Sequence, residues 1–222
     1  MICMRREVLF FDNPGPVNTN GVIEAVKERA KEGDIGHIVV ASISGKTALR
    51  VAQELRSLNI SIVCVSGPPS WSIFEEYDYP MVKGEIREKL EELKVIIVDK
   101  TPSTLSDTIE YGLARYGYIP ASFVVAETLL AIGGYGLKTS VEAILMATDC
   151  GAIPAYTPTI SIAGTGSGAD TAIVAKSTYP PCVFSKDSNK RFQLFEIIAM
   201  PRVKKWYKEI GIGEFSFYET KT

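Results

Sequence analysis

Two short loops hold most of the side chains and backbone with obvious chemistry. In "ISGKTA" the run Ser44, Gly45, Lys46, Thr47 offers two hydroxyls, an ammonium and, if a helix starts here, free N–H groups at its positive end. That combination suits a phosphate ester. In "AGTGSGADTAIVAKS" the glycines Gly164, Gly166 and Gly168 alternate with Thr165 and Ser167, so the backbone can turn tightly and approach a ligand closely. Two familiar phosphate loops fit poorly. Gly164, Gly166 and Ala169 spell the dinucleotide fingerprint, but a strand-like run follows them where that fingerprint needs a helix. Gly45, Lys46 and Thr47 end a P-loop, yet Val40 stands where its first glycine belongs. A local phosphate cradle remains, with Ser44 as a simple helix cap and Lys46 as a solvated surface cation as the plainer alternative.

The elements that must carry these loops follow from periodicity. A short strand is expected at Val8 to Phe11. A helix follows with Val22, Ala25, Val26 and Ala30 on one face, Asn18 or Thr19 as its cap and Gly33 as its terminator. "HIVVAS" reads as a buried strand, and Ala48, Val51, Ala52, Leu55 and Leu58 make one helical stripe. "ISIVCVS" is a second buried strand, so these three form a parallel βαβ unit. The charged helix "KGEIREKLEELK" and the strand "VIIVD" add a third cycle. Thr101 and Pro102 predict the start of a helix reaching Tyr116. "SFVVAETLLAIGG" and "LKTSVEAILMATDCG" predict two more helices, the second buried nearly all round. "TISIAG", "DTAIVAKS" and "FQLFEIIAMP" are three consecutive strand-like runs, and a polar tail begins near residue 203. The order predicts one domain over residues 1–222, a three-layer α/β sandwich whose mixed, mostly parallel sheet gains antiparallel strands at its end.

Bulk properties narrow the partners. With 222 residues, 46% of them hydrophobic, the chain has the composition of an ordinary globular protein. A net charge of -2 provides no field for gathering nucleic acid or anionic membrane, so neither partner is expected. Cys3, Cys64, Cys150 and Cys182 lie far apart and His37 is the only histidine, so neither a zinc site nor a disulfide framework is expected. No uninterrupted apolar run reaches the roughly 18 residues of a membrane span, and no cleavage pattern marks the N-terminus. A cytoplasmic location follows as the expectation.

Taken together, the two loops resemble a known family. "ASISGKTALRVAQ" is similar to the first strand, loop and helix of the pyruvate kinase C-terminal domain, whose corresponding loop holds a sugar phosphate in activated members. "AGTGSGADTAIVA" is similar to that domain's late effector loop. "NPGPVNTN", "VVASISGKTA", "GADTAIVAKS" and "AMPR" resemble the stand-alone, mostly archaeal proteins grouped with it, over nearly the whole chain. The resemblance implies the pyruvate kinase C-terminal fold, a homodimer, and a phosphate site at Ser44, Gly45, Lys46, Thr47, Gly164, Thr165, Gly166, Ser167 and Gly168. Lys46 replaces an arginine and loses its bidentate fork. Nothing resembles the catalytic barrel, which would need about 250 further residues, so pyruvate kinase activity is not expected.

Other residues compete for a role. Glu127, Glu142, Asp149 and Glu196 sit in apolar stretches where burial would raise a carboxyl toward acid–base use, unless they cap helices or pair with Lys138, Arg115 or Arg202. Cys64 and Cys150 are expected to be inert core thiols, and His37 to be structural. Trp71, Phe74, Tyr77 and Tyr79 follow the second buried strand and are placed either to pack in the core or to stack on a planar ring. A phosphate cradle beside aromatics suits flavin mononucleotide. Three readings therefore stand: a binding protein for a phosphate-bearing small molecule, a flavin-dependent enzyme using the same pocket, and an oligomeric interaction module.

Overall fold

The computed structural model describes residues 5–73, 77–106 and 108–205. Its elements run β1 (Leu9–Phe11), α1 (Thr19–Ala30), β2 (His37–Ala41), α2 (Lys46–Leu55), β3 (Ser61–Val65), α3 (Gly84–Glu92) and β4 (Ile96–Val98), then α4 (Ala121–Asp149), β5 (Pro158–Ala163), β6 (Thr171–Lys176) and β7 (Leu194–Pro201). The seven strands form one sheet in the order β1-β7-β6-β5-β2-β3-β4. Only β6 runs against the others: it pairs antiparallel with both β5 and β7, whereas β1 pairs parallel with β7 at the far edge. The antiparallel character expected of the last strands is therefore confined to one of them.

Two apolar cores explain the layering. Val22 and Val26 of α1, Ala48, Val51 and Leu55 of α2, and Leu90 of α3 pack on Ile38, Val40, Ile62, Ile160 and Ile162. Alternate residues of the sheet, among them Val39, Val63 and Ile173 of β6, face α4 through Val141, Ile144 and Leu145. Strands buried on both faces read as continuous apolar runs, as these do. The result is a three-layer α/β sandwich with α1, α2 and α3 on one side and α4 on the other.

Helix α4 contains the two helices expected from the sequence, divided at Gly134, whose φ of 75° and ψ of -176° are not helical. Residues 140 to 148 are all buried, which accounts for the apolar Val141, Ala143, Ile144, Leu145, Met146 and Ala147 on every side. By length and composition alone α4 could cross a membrane, but 67% of its most apolar window is covered by the rest of the molecule.

The helix expected from Thr101 to Tyr116 is not an α-helix. Residues 104–106 make a turn and Ile109–Tyr116 is a 3₁₀ segment. The cause is Glu142: its Oε1 accepts the Leu105 N–H at 3.0 Å and the Ser103 hydroxyl, while the Ser106 N–H donates to Ser103 Oγ at 3.0 Å. Such side-chain bonds to the backbone compete with a helical ladder. The Phe74 ring, Cys3 and the tail beyond residue 205 lie outside the described residues, as does the Arg115 side chain.

Candidate functional site

Strands β2 and β5 are parallel neighbours, with Val40 opposite Ile162. Adjacent strands stand about 4.8 Å apart, so the loops that follow them leave the sheet side by side at its carboxyl edge. Parallel α/β sheets form their ligand crevices at that edge. Both sequence-predicted loops are thus on the same edge, on neighbouring strands.

The first loop is a tight turn into α2. The Gly45 N–H donates to Ser42 O at 3.1 Å, and Ser42 Oγ accepts the Thr47 N–H at 3.2 Å. Ser42, rather than Ser44, therefore supplies the hydroxyl that satisfies the start of the helix. Gly45 adopts φ 78°, and a Cβ there would lie 2.9 Å from Ile86 and 3.0 Å from Leu90, so glycine is required both for the turn and for α3 to approach. Of the N–H groups expected to be free at 44–47, those of Gly45 and Thr47 are used internally. Those of Ser44 and Lys46 have no acceptor among the described residues. Ser44 and Lys46 are exposed, Thr47 is half-buried, and among the described residues Lys46 makes no ion pair.

The glycine loop joins β5 to β6 as a hairpin connection, which excludes the strand-to-helix geometry of a dinucleotide fold. Gly166 and Gly168 have φ of 77° and 66°. Thr165 is buried and its N–H donates to Asp170 Oδ2 at 3.1 Å; the Ser167 N–H donates to Thr165 O at 3.0 Å. The N–H groups of Gly166 and Gly168 have no acceptor among the described residues. So Gly166 and Ser167 present the exposed tip, and Thr165 serves the loop's inner side.

A third segment, 13–19, lies against this loop and was not assigned to the site from the sequence. A Cβ on Gly168 would lie 2.5 Å from Thr19 Oγ1 and 2.7 Å from Pro16 Cα. Thr19 Oγ1 accepts the Ala169 N–H at 3.0 Å and donates to Pro16 O at 2.7 Å. The only sequence trace of this contact was the similarity of both "NPGPVNTN" and "GADTAIVAKS" to the same family.

The aromatic candidates stand at the carboxyl end of β3. Trp71 covers Gly67, where a Cβ would lie 2.6 Å from its Cε3, and its ring centroid is 5.2 Å from that of Tyr77, tilted by 39°. Both rings are half-buried, as is Tyr79.

The competing residues separate clearly. Glu142 is buried and paired with Lys138; burial alone would push its carboxyl up, but the Lys138 ammonium and the donors from Ser103 and Leu105 hold it below its ordinary value. Glu196 pairs with Arg29 at 2.9 Å and with Arg6 at 3.4 Å, not with Arg202. Asp149 ends α4 in the open, so its expected apolar surroundings are absent, and Cys150 is exposed rather than a core thiol. Cys64 is a core thiol, pushed up to about 12 by burial and by the nearby Asp99 carboxylate. His37 opens β2 at the opposite edge of the sheet.

Among the described residues no group of three or more metal-ligating side chains occurs. A groove of about 310 Å³ between α1 and α2 is lined by Asn20, Ile23, Glu24, Arg50, Gln53 and Glu54, and its two carboxylates make it a poor anion site. The chain matches no known family model.

Proposed function

We propose that this protein binds a phosphate-bearing small molecule at the carboxyl edge, between the 44–47 turn and the 164–168 hairpin loop, without pyruvate kinase chemistry. The observation that carries the reading is the pairing of β2 with β5: the loop bearing Lys46, the Ser44 hydroxyl and the unused N–H groups of Ser44 and Lys46 leaves the strand next to the one whose loop carries the unused Gly166 and Gly168 N–H groups. Backbone donors at a helix start together with an ammonium favour a phosphate oxygen over a neutral group. Trp71 and Tyr77, on the next strand's carboxyl end, favour a ligand with a planar ring at the other end, such as flavin mononucleotide, over a sugar phosphate. The pyruvate kinase C-terminal resemblance supports the same two loops, and a cytoplasmic location belongs to the proposal.

The test is to purify the protein without added ligand, denature it, and identify any released compound by absorbance and mass spectrometry. A stoichiometric phosphorylated compound supports the reading. If nothing is released and isothermal titration with flavin mononucleotide, a sugar phosphate and inorganic phosphate gives no heat of binding, the reading fails.

A second reading, a homodimer, is favoured by a separate observation: Ile109, Tyr116, Ile119, Val124 and Ile132 expose apolar surface along the 3₁₀ segment and the first half of α4. Sedimentation equilibrium decides it, a monomer mass at micromolar concentration ruling it out.

A further inference from the structure

We infer that Asp170 is the positioning residue of the glycine loop, and that through it the segment 15–19 forms a third wall of the site; this rests on the phosphate reading above. Asp170 is fully buried and 155 residues from its furthest partner. Its Oδ2 accepts the Gly15 N–H at 2.9 Å and the Thr165 N–H at 3.1 Å, and its Oδ1 accepts the Thr171 hydroxyl at 2.8 Å. All partners donate, as suits an acceptor-only carboxylate. Below it, the second half of α4 starts anew after Gly134, and Gly136 comes so close that a Cβ would lie 2.8 Å from Oδ1 and collide with Thr171. A carboxylate at the beginning of a helix is stabilised by the helix dipole.

This arrangement has a consequence for the loop. By taking the Thr165 N–H inward, Asp170 fixes the first half of the hairpin connection. By taking the Gly15 N–H, it fixes the segment against which Gly168 and Ala169 pack. Thr19 repeats the tie from the other side through the Ala169 N–H. The loop is thereby clamped at both ends, and the unused Gly166 and Gly168 donors lie on the only stretch between the clamps. A loop so held meets a phosphate already ordered, which lowers the cost of binding. Asp170 itself does not touch the ligand.

The experiment compares wild type with Asp170→Ala, Asp170→Asn, Thr19→Val and Thr19→Ser. It measures flavin mononucleotide and inorganic phosphate binding by titration calorimetry, and amide exchange by NMR. Asn keeps an oxygen for both N–H groups and Ser keeps the hydroxyl. Asp170→Ala and Thr19→Val are expected to weaken binding about tenfold, because the released loop must then be ordered by the ligand, while Asp170→Asn and Thr19→Ser stay within about threefold of wild type. In Asp170→Ala the Gly15 and Thr165 amides exchange faster while the β5 core amides keep their protection. Equal binding in all five proteins, or no recovery in the conservative variants, overturns the inference; so do unchanged Gly15 and Thr165 exchange rates. If wild type releases no ligand on denaturation and binds neither these probes nor a sugar phosphate, the phosphate reading falls, while the exchange data still decide whether Asp170 clamps the loop.

Discussion

At the scale of single residues the candidate site separates exposed binding groups from internal fastenings. Lys46 and Ser44 are exposed and uncommitted, whereas Ser42, Thr165 and Asp170 spend their polar atoms on the protein itself. Replacing Lys46 by Ala should therefore weaken phosphate-ligand binding about tenfold, as for the loss of a charge-assisted hydrogen bond, with thermal stability unchanged. Lys46→Arg should retain most of the affinity, and calorimetry with flavin mononucleotide reads both. Glu142 is the opposite case, a buried carboxylate with a structural task. Its folded pKa is lowered relative to the unfolded chain, so its stabilisation is present above the unfolded value and is lost as pH falls through the folded one. Glu142→Gln leaves the half-buried Lys138 without its counter-charge and should cost about 2 kcal/mol near pH 7. In denaturant titrations across pH that gap should narrow below about pH 4; a constant gap would deny Glu142 this role. The Lys138 and Glu142 pair could be named from the sequence because four residues bring them together on a helix. The Asp170 to Gly15 bond could not, because nothing local relates positions 155 residues apart.

At the scale of elements, β2, β3 and β5, with α2, follow closely from apolar runs and periodicity, because strands buried on both faces and a helix with one buried stripe leave clear patterns. Residues 101–116 depart from expectation for a physical reason: the helix-starting Thr101 and Pro102 are outweighed by the backbone and hydroxyl donors that wrap Glu142. The break in α4 at Gly134 lets its second half begin against β6, and Gly136 is the point of contact. Gly136→Ala should destabilise the fold by about 2 kcal/mol or more, since Thr171 and Asp170 are both buried and cannot give way. Gly36→Ala is the matched control: nothing lies within 4 Å of its would-be Cβ, so it should be neutral or slightly stabilising. Urea denaturation of the two variants tests the contrast, and equal effects would refute the close packing of α4 on β6.

At the scale of the whole molecule, the proposed site draws on loops from β2 and β5 and on the segment after β1, so a ligand held there would tie together parts from both ends of the chain. Binding to the folded state alone at a hundredfold excess over Kd should add about 2.7 kcal/mol, an increase in Tm of about 5–10 °C for a domain of this size. Differential scanning fluorimetry with flavin mononucleotide measures it, with riboflavin as the control lacking phosphate; equal shifts from both would remove the phosphate from recognition. The residue order by itself determined the α/β class, the three βα cycles, the buried second half of α4 and the places of the two glycine-containing loops, because each is written in local periodicity and glycine placement. The tertiary structure alone decided that β1 closes the sheet beside β7, that β6 is the one reversed strand, and that Asp170 and Thr19 fasten the glycine loop to the N-terminal segment. Those depend on which strand edges meet and which buried donors need acceptors, and such pairings arise only when distant parts of the chain are brought into contact.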